Sequence, residues 1–408
     1  MNQMQLTHIF TQKHHQNQHQ NAPNLIVHFE NWWNSFSPQH SILTSTIQQV
    51  CPTCNIIITT LHPSSHTPDL ILSSIFGPIP SHSLSSSPIR ILYIGENLNL
   101  PGYSHWKSAL YRSSLKPAHF LFGNIVPTTQ FHPLSFTDLL SQSINTINLS
   151  SIYASFSPEW IDTAFQHLSY IHSHQNPNTS LIQTHTKSIA FLARSNLFQF
   201  RTKLIASINS LPLNSISIDC PSKLNKNMKS LRKLNLTKIQ FLSQYKFNLC
   251  PENSLSFGYV TEKLLDASLS GAIPIYCGGK KHFVLDRIFN LDRIVMIPSM
   301  NQKGIDVMLK KLEILLKNES LLSDFFAKPI YSQSAIECIM RLIVERRILL
   351  QYAVHIALFN KSCMTKDRKE SLESCSDRVQ QWINATSQSE IRRTLTEIHK
   401  QQQNLPNH

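Results

Sequence analysis

No run in this chain approaches the about 18 to 20 consecutive apolar residues that a membrane-spanning helix requires. The first residues, 1–23, are rich in Gln, His and Asn and hold no apolar signal core, so a disordered polar N-terminus on a cytoplasmic protein is expected. No His-Glu-x-x-His or Asp-x-Asp string occurs. A metal site that uses carboxylates to hold a cation against a diphosphate is therefore disfavoured. No zinc-finger, RNA-recognition or helix-turn-helix signature is present, which removes nucleic acid as a partner. Eight cysteines without a secretory signal argue against a disulfide framework. Cys51-Pro52-Thr53-Cys54 has redox or zinc-half-site spacing, yet no second pair follows at zinc spacing, so free structural thiols are expected there. The 20 histidines are compositional, several of them lying in the polar N-terminus as His14, His15 and His19.

What the chain does hold is size, charge and one dense segment. At 408 residues and 41% hydrophobic it is long for a single core, and two domains are expected. The net charge of +13 is uneven: from Arg201 to Lys246 nine basic residues face Asp219 alone. Such a stretch suits a nucleotide diphosphate, an anionic membrane surface or nucleic acid, the last disfavoured by the missing signatures, or is simply a solvated basic face. The dense segment spans residues 245–278. Tyr245 to Cys250 and Ala272 to Tyr276 read as strands, the second closed by Gly278-Gly279. Between them Thr261 can cap a helix whose first turn holds Glu262 and Lys263, with Leu264, Leu265, Ala267 and Leu269 facing a sheet. Strand, loop, helix, strand is an α/β unit, and its ligand lies outside the carboxyl ends of the strands. Glu252, Asn253, Tyr259, Glu262 and Lys263 are thereby expected in one crevice.

Glu252-Asn253-Ser254, Tyr259-Val260-Thr261-Glu262-Lys263 and Pro274-Ile275-Tyr276-Cys277-Gly278, in that order, resemble the signature of the α1,3/4-fucosyltransferases, glycosyltransferase family ten, and look closest to the bacterial, Helicobacter-like branch. Arg90 to Asn97 resembles the strand and Gly-Glu-Asn element that carries the family's catalytic carboxylate. Ala190-Phe191-Leu192, Ser195-Asn196 and Arg201 resemble its first donor-domain strand and phosphate-binding arginine. Ile26 to Phe29 with Asn31-Trp32-Trp33, and Pro68 to Leu72 with Phe76-Gly77, fall where the family has its first strands. The likeness covers residues 24 to 325. Where bacterial members carry acidic residues after Gly-Glu-Asn, this chain has Pro101 to Trp106 and Ala118 to Gly123 with none.

The resemblance implies an α/β fold of GT-B type, two Rossmann-like domains facing across a cleft, with a C-terminal helical tail. The polar run Gln175 to Thr179 reads as the linker. Expected boundaries are an acceptor-side domain over 24–174, a donor domain for GDP-fucose over 185–330, and the tail over 331–408. In that tail Val379, Trp382, Ile383, Ile391, Leu395 and Ile398 keep helical spacing, which leaves peripheral contact with the inner membrane, a partner, or packing on its own domain open.

Resemblance also implies GDP-β-L-fucose as donor, a GlcNAc-containing oligosaccharide as acceptor, and no metal or other cofactor. Inverting transfer needs a base at the acceptor hydroxyl and cations on the departing diphosphate. Glu96 is the expected base, and Arg201 with Lys263 the expected cations. Glu262 would hold the ribose, Asn253 and Tyr259 would touch fucose or phosphate, and Glu252 would touch the sugar or support the loop. Three readings stand: an α1,3-fucosyltransferase building a Lewis-antigen-like lipopolysaccharide glycan, a related transferase with another donor or acceptor, and a non-catalytic nucleotide- or glycan-binding relative.

Overall fold

The computed structural model describes residues 23–33, 36–60, 67–79, 88–94, 100–111, 120–123, 147–148, 163–177, 181–194, 199–212, 216–255, 259–278 and 283–340, with isolated positions from 342 to 361. The chain divides into two compact units, Met1–Ala154 joined by Met340–His408, and Ser155–Ile339. The expected polar N-terminus, nearly all of which is residues 1–22, and the tail helix after residue 361 lie outside the described residues.

The inner strands of the first unit are largely apolar, as suits a parallel sheet covered on both faces, with His28, Ser73 and Ser74 as buried polar exceptions. The strands are β1 (Asn24–Glu30), β2 (Asn55–Thr59), β3 (Leu70–Ser74), β4 (Ile89–Ile94), β5 (Phe120–Gly123) and β6 (Ile147–Asn148). Their order is β2-β1-β3-β4-β5-β6, and each pairing is parallel. Helix α1 (Ile42–Val50) starts at Ser41, whose hydroxyl oxygen accepts from the Thr44 N–H, and lays Leu43 and Ile47 on the core built by Val27, Phe29, Leu70 and Ile91. Leu350, Ala353, Val354 and Ala357 are buried in that same core. These residues, from the stretch expected as a tail over 331–408, belong to the first unit, and Lys361 donates to the Asn24 carbonyl and to Asp69, both at 2.8 Å. One expectation is overturned: Cys51 and Cys54 are not free thiols but a disulfide, with Cα atoms 5.6 Å apart. Helix α1 ends at Val50, and a turn closed by the Cys54 N–H on the Cys51 carbonyl at 3.2 Å brings the two side chains together.

The second unit holds β7 (Lys187–Phe191), β8 (Ile218–Asp219), β9 (Tyr245–Leu249), β10 (Ile273–Tyr276) and β11 (Val295–Met296), parallel in the order β11-β10-β9-β7-β8. Among its helices are α2 (Phe200–Asn209), α3 (Lys238–Leu242), α4 (Glu262–Leu269), α5 (Gln302–Lys317) and α6 (Glu319–Ala327). Pro274 is accommodated inside β10 because its missing N–H points to the β11 side, where pairing begins only at Ile275. Gln175, expected in a linker, is buried here. Its side-chain amide donates to the carbonyls of Ser332 and Gln333 at 2.8 and 2.9 Å, which fastens the two ends of the unit together. Two all-parallel α/β units in one chain are the domain content of the GT-B type.

Candidate active site

Beyond the carboxyl end of β9 the chain stays tied to the extension of β10. The Cys250 N–H donates to Ile275 at 3.0 Å and the Glu252 N–H to Cys277 at 2.8 Å. This places the Glu252 side chain under the loop that leads into α4. Its carboxylate is buried and saturated: Oε1 accepts from the Thr261 N–H at 2.7 Å and the Tyr276 hydroxyl at 3.2 Å. Oε2 accepts from the Thr261 hydroxyl at 2.7 Å and the Lys263 ammonium at 3.2 Å. Gly278 is required beside it, since a Cβ there would lie 2.3 Å from the Tyr276 Oη and 2.4 Å from the Glu252 Cγ. The sequence reading had Thr261 as a helix cap. Instead its hydroxyl donates to Glu252 and accepts from the Lys263 Nζ at 2.7 Å, an ammonium being a stronger donor to that oxygen than a helix N–H.

Lys263 is the hub of the cluster, reaching Glu252, Thr261 and, at 3.5 Å, Glu262. Burial would lower its pKa, but Glu252 and Glu262 outweigh burial and hold the ammonium above its ordinary value. Burial would likewise raise Glu262, and Lys263 and Lys238 outweigh it, so that carboxyl sits below its ordinary value. Glu262 keeps 51% of its side chain exposed, leaving it the accessible acid of the group. Arg201, at the start of α2, is buried and donates from Nη2 to the Pro251 carbonyl at 2.7 Å. Burial draws its pKa down, against the pull of Glu252, Tyr259 and Glu262. Tyr259 is buried in the loop wall, and Asn253 is half-buried next to Glu252. Glu252 after β9, Glu262 and Lys263 in the first turn of α4 and Arg201 in the first turn of α2 thus balance their charges in one cluster, and Tyr259 and Asn253 lie in the same loop region.

Beside them, Lys238 of α3 pairs with Asp266 of α4, whose carboxyl is raised by burial against the pull of Lys238. Neither residue, nor Tyr276 as a partner of Glu252, was expected from the sequence. A buried Tyr at the end of a strand is ordinary core until its hydroxyl finds a carboxylate. Glu96 and Ser195-Asn196 lie outside the described residues. Among the described residues no cluster of His, Cys, Asp and Glu could hold a metal ion.

Residues 182–332 match the family model described as glycosyltransferase family 10 (fucosyltransferase), C-terminal. This stretch, less than half of the chain, is similar to the C-terminal domain of the family 10 fucosyltransferases. The matched stretch takes in β7 to β11 and every described residue of the site. A segment of 41 residues, 10% of the chain, is 66% identical to an alpha-(1,3)-fucosyltransferase of Helicobacter pylori and spans 9% of that relative's length. Two solved structures, an alpha1,3-fucosyltransferase with GDP and one with GDP-fucose, are each 18% identical, with TM-scores of 0.48 and 0.47. The first likeness covers 82% of this chain and 92% of that one, the second 84% and 95%. Neither assigns a residue here. No described helix is long and apolar enough to cross a membrane.

Proposed function

We propose that this chain is an inverting glycosyltransferase that moves L-fucose from GDP-β-L-fucose to the 3-OH of GlcNAc in an N-acetyllactosamine-type surface glycan, such as a Lewis-antigen-like lipopolysaccharide O-chain. The observation that carries the reading is the gathering of Arg201, Lys263 and the accessible Glu262 at the strand ends of the stretch similar to family 10. In such a site the two cations offset charge growing on the departing diphosphate, without a metal ion. The Glu262 carboxylate accepts from ribose hydroxyls, and Asn253 and Tyr259 line the sugar or phosphate. Glu252 acts through its neighbours: it fixes Lys263 and Thr261 and so positions the first turn of α4. Glu96 is the proposed base at the acceptor hydroxyl.

The deciding experiment is GDP release from GDP-fucose by the purified protein in EDTA, with and without N-acetyllactosamine. Acceptor-dependent release is expected. GDP binding without release under any acceptor would make the chain a binding-only relative. A Glu96→Gln protein is expected to bind GDP normally and lose transfer, and full activity in it would remove Glu96 as base. The absence of acidic residues in Pro101 to Trp106 favours one second reading, a transferase with a different acceptor. An acceptor panel separates it from the first.

A further inference from the structure

The second unit carries a groove of about 630 Å³ bordered by α5, α6 and the edge strand β11, and it shares no residue with the site above. Its wall includes Leu291, Val307, Ile314 and Leu321, which are 37%, 49%, 56% and 40% exposed. These are four of the six exposed large hydrophobic residues among the described residues. Helix α5 already buries Ile305, Met308, Leu312 and Leu315 in the core, so Val307 and Ile314, two turns apart, are not needed to hold it. Scattered exposed apolar residues are ordinary, but a cluster in one groove marks an interaction surface.

The rim is cationic. Lys310, Lys311 and Lys328 line the groove with Asp292 as the one acid among its lining residues. Lys311 and Lys328 hold their ammonium groups 5.0 and 4.6 Å from the centre of the Phe325 ring. Their hydrogen bonds go to backbone carbonyls, Lys311 to Ile294 at 3.2 Å and Lys328 to Asp292 at 3.1 Å. Burial first, and then Lys328, lower the Lys311 pKa, so the pair repels across the ring and suits an anion placed against both. The carboxylates of α5 that could neutralise the rim are engaged elsewhere, Asp306 by Gln302 and Glu313 by Lys317.

We propose that this groove docks the second unit on an anionic lipid bilayer, with Leu291, Val307, Ile314 and Leu321 in the headgroup boundary and Lys310, Lys311 and Lys328 on lipid phosphates. Charge complementarity selects an anionic surface, and lysine stems can lie along apolar matter while their ammonium groups stay at the phosphates. Three of the twelve lining residues are lysines and none is Arg, Tyr or Trp, and lysine is a residue that protein interfaces disfavour. The proposal stands apart from the transferase reading.

The test is co-sedimentation of the full chain with phosphatidylcholine vesicles, with and without phosphatidylglycerol. Wild type is expected to partition onto the anionic vesicles only, and to be released by salt. Each basic residue near such a surface is worth about fivefold, so Lys311→Gln/Lys328→Gln is expected to bind roughly thirtyfold more weakly. Val307→Gln/Ile314→Gln, both at solvent-facing positions, is expected to lose binding as well, with an unchanged melting temperature. No partition of wild type onto either vesicle would overturn the proposal and leave the groove to an acidic protein segment. Unchanged partition in both double variants would place membrane contact elsewhere on the chain and overturn it too. Full binding by the apolar variant alone would mean a bare phosphate contact, again against the proposal.

Discussion

Replacing Glu252 by Gln asks how much of the candidate site hangs on one buried carboxylate. The amide oxygen can keep the bonds from the Thr261 N–H and the Tyr276 hydroxyl. The amide nitrogen, in the place of Oε2, faces the Thr261 hydroxyl and the Lys263 ammonium, and Lys263 loses its buried carboxylate partner, keeping only the more exposed Glu262 at 3.5 Å. Breaking a buried ion pair costs about 3 to 5 kcal/mol. Lys263 keeps 16% exposure and its bond to the Thr261 oxygen, which sets the cost at the lower end, about 3 kcal/mol. For a unit of this size that lowers the melting transition by about 6 to 12 °C. Thermal and urea unfolding of wild type, Glu252→Gln, Lys263→Met and the double variant measure it. The double variant leaves neither charge buried alone, so it is expected to be more stable than the two single losses predict, by at least about 1 kcal/mol. Single losses that add to within about 0.5 kcal/mol would refute the coupling.

Gly278→Ala drives a methyl group into Tyr276 and Glu252 and is expected to cost about 1 to 3 kcal/mol and to weaken GDP binding, measured by calorimetry; a fully stable variant with native affinity would contradict the close approach. Burial raises the Cys220 thiol to about 11, with Asp219 adding to the effect, and raises Cys250 well above the ordinary thiol value. Iodoacetamide at pH 8 is therefore expected to leave both unmodified in the folded protein and to label both in urea, read by peptide mass spectrometry. The Glu262 carboxyl is held below its ordinary 4.5, so its contribution to stability is present above that value and lost as pH falls through the folded value. Glu262→Gln is expected to flatten the acid limb of the stability profile, followed by urea midpoints between pH 5 and 3, and an unchanged limb would count against the pairing with Lys263.

Local order was legible in the chain because parallel strands covered on both faces must be continuously apolar. Tyr245 to Cys250 and Ala272 to Tyr276 read as strands and are β9 and β10 to within a residue, and the helix between them begins at Glu262 as its Thr-Glu-Lys start implies. That order alone sends Glu252, Asn253, Tyr259, Glu262 and Lys263 to the carboxyl ends of one sheet. What the sequence could not decide is which groups meet there. Glu252 finds Thr261 nine residues on and Tyr276 twenty-four residues on, and the Thr261 oxygen accepts from the Lys263 ammonium rather than from a helix N–H because a charged donor makes the stronger bond. The same limit explains Leu350 to Ala357, whose apolar pattern says that they are buried but not that they complete a core begun at Leu25. It explains Cys51 and Cys54 as well, where spacing permits a bond but only the turn after α1 closes it. Periodicity along the chain is set by the backbone and is local. Partner choice is set by which surfaces the two sheets leave to be covered, and only the folded chain decides that.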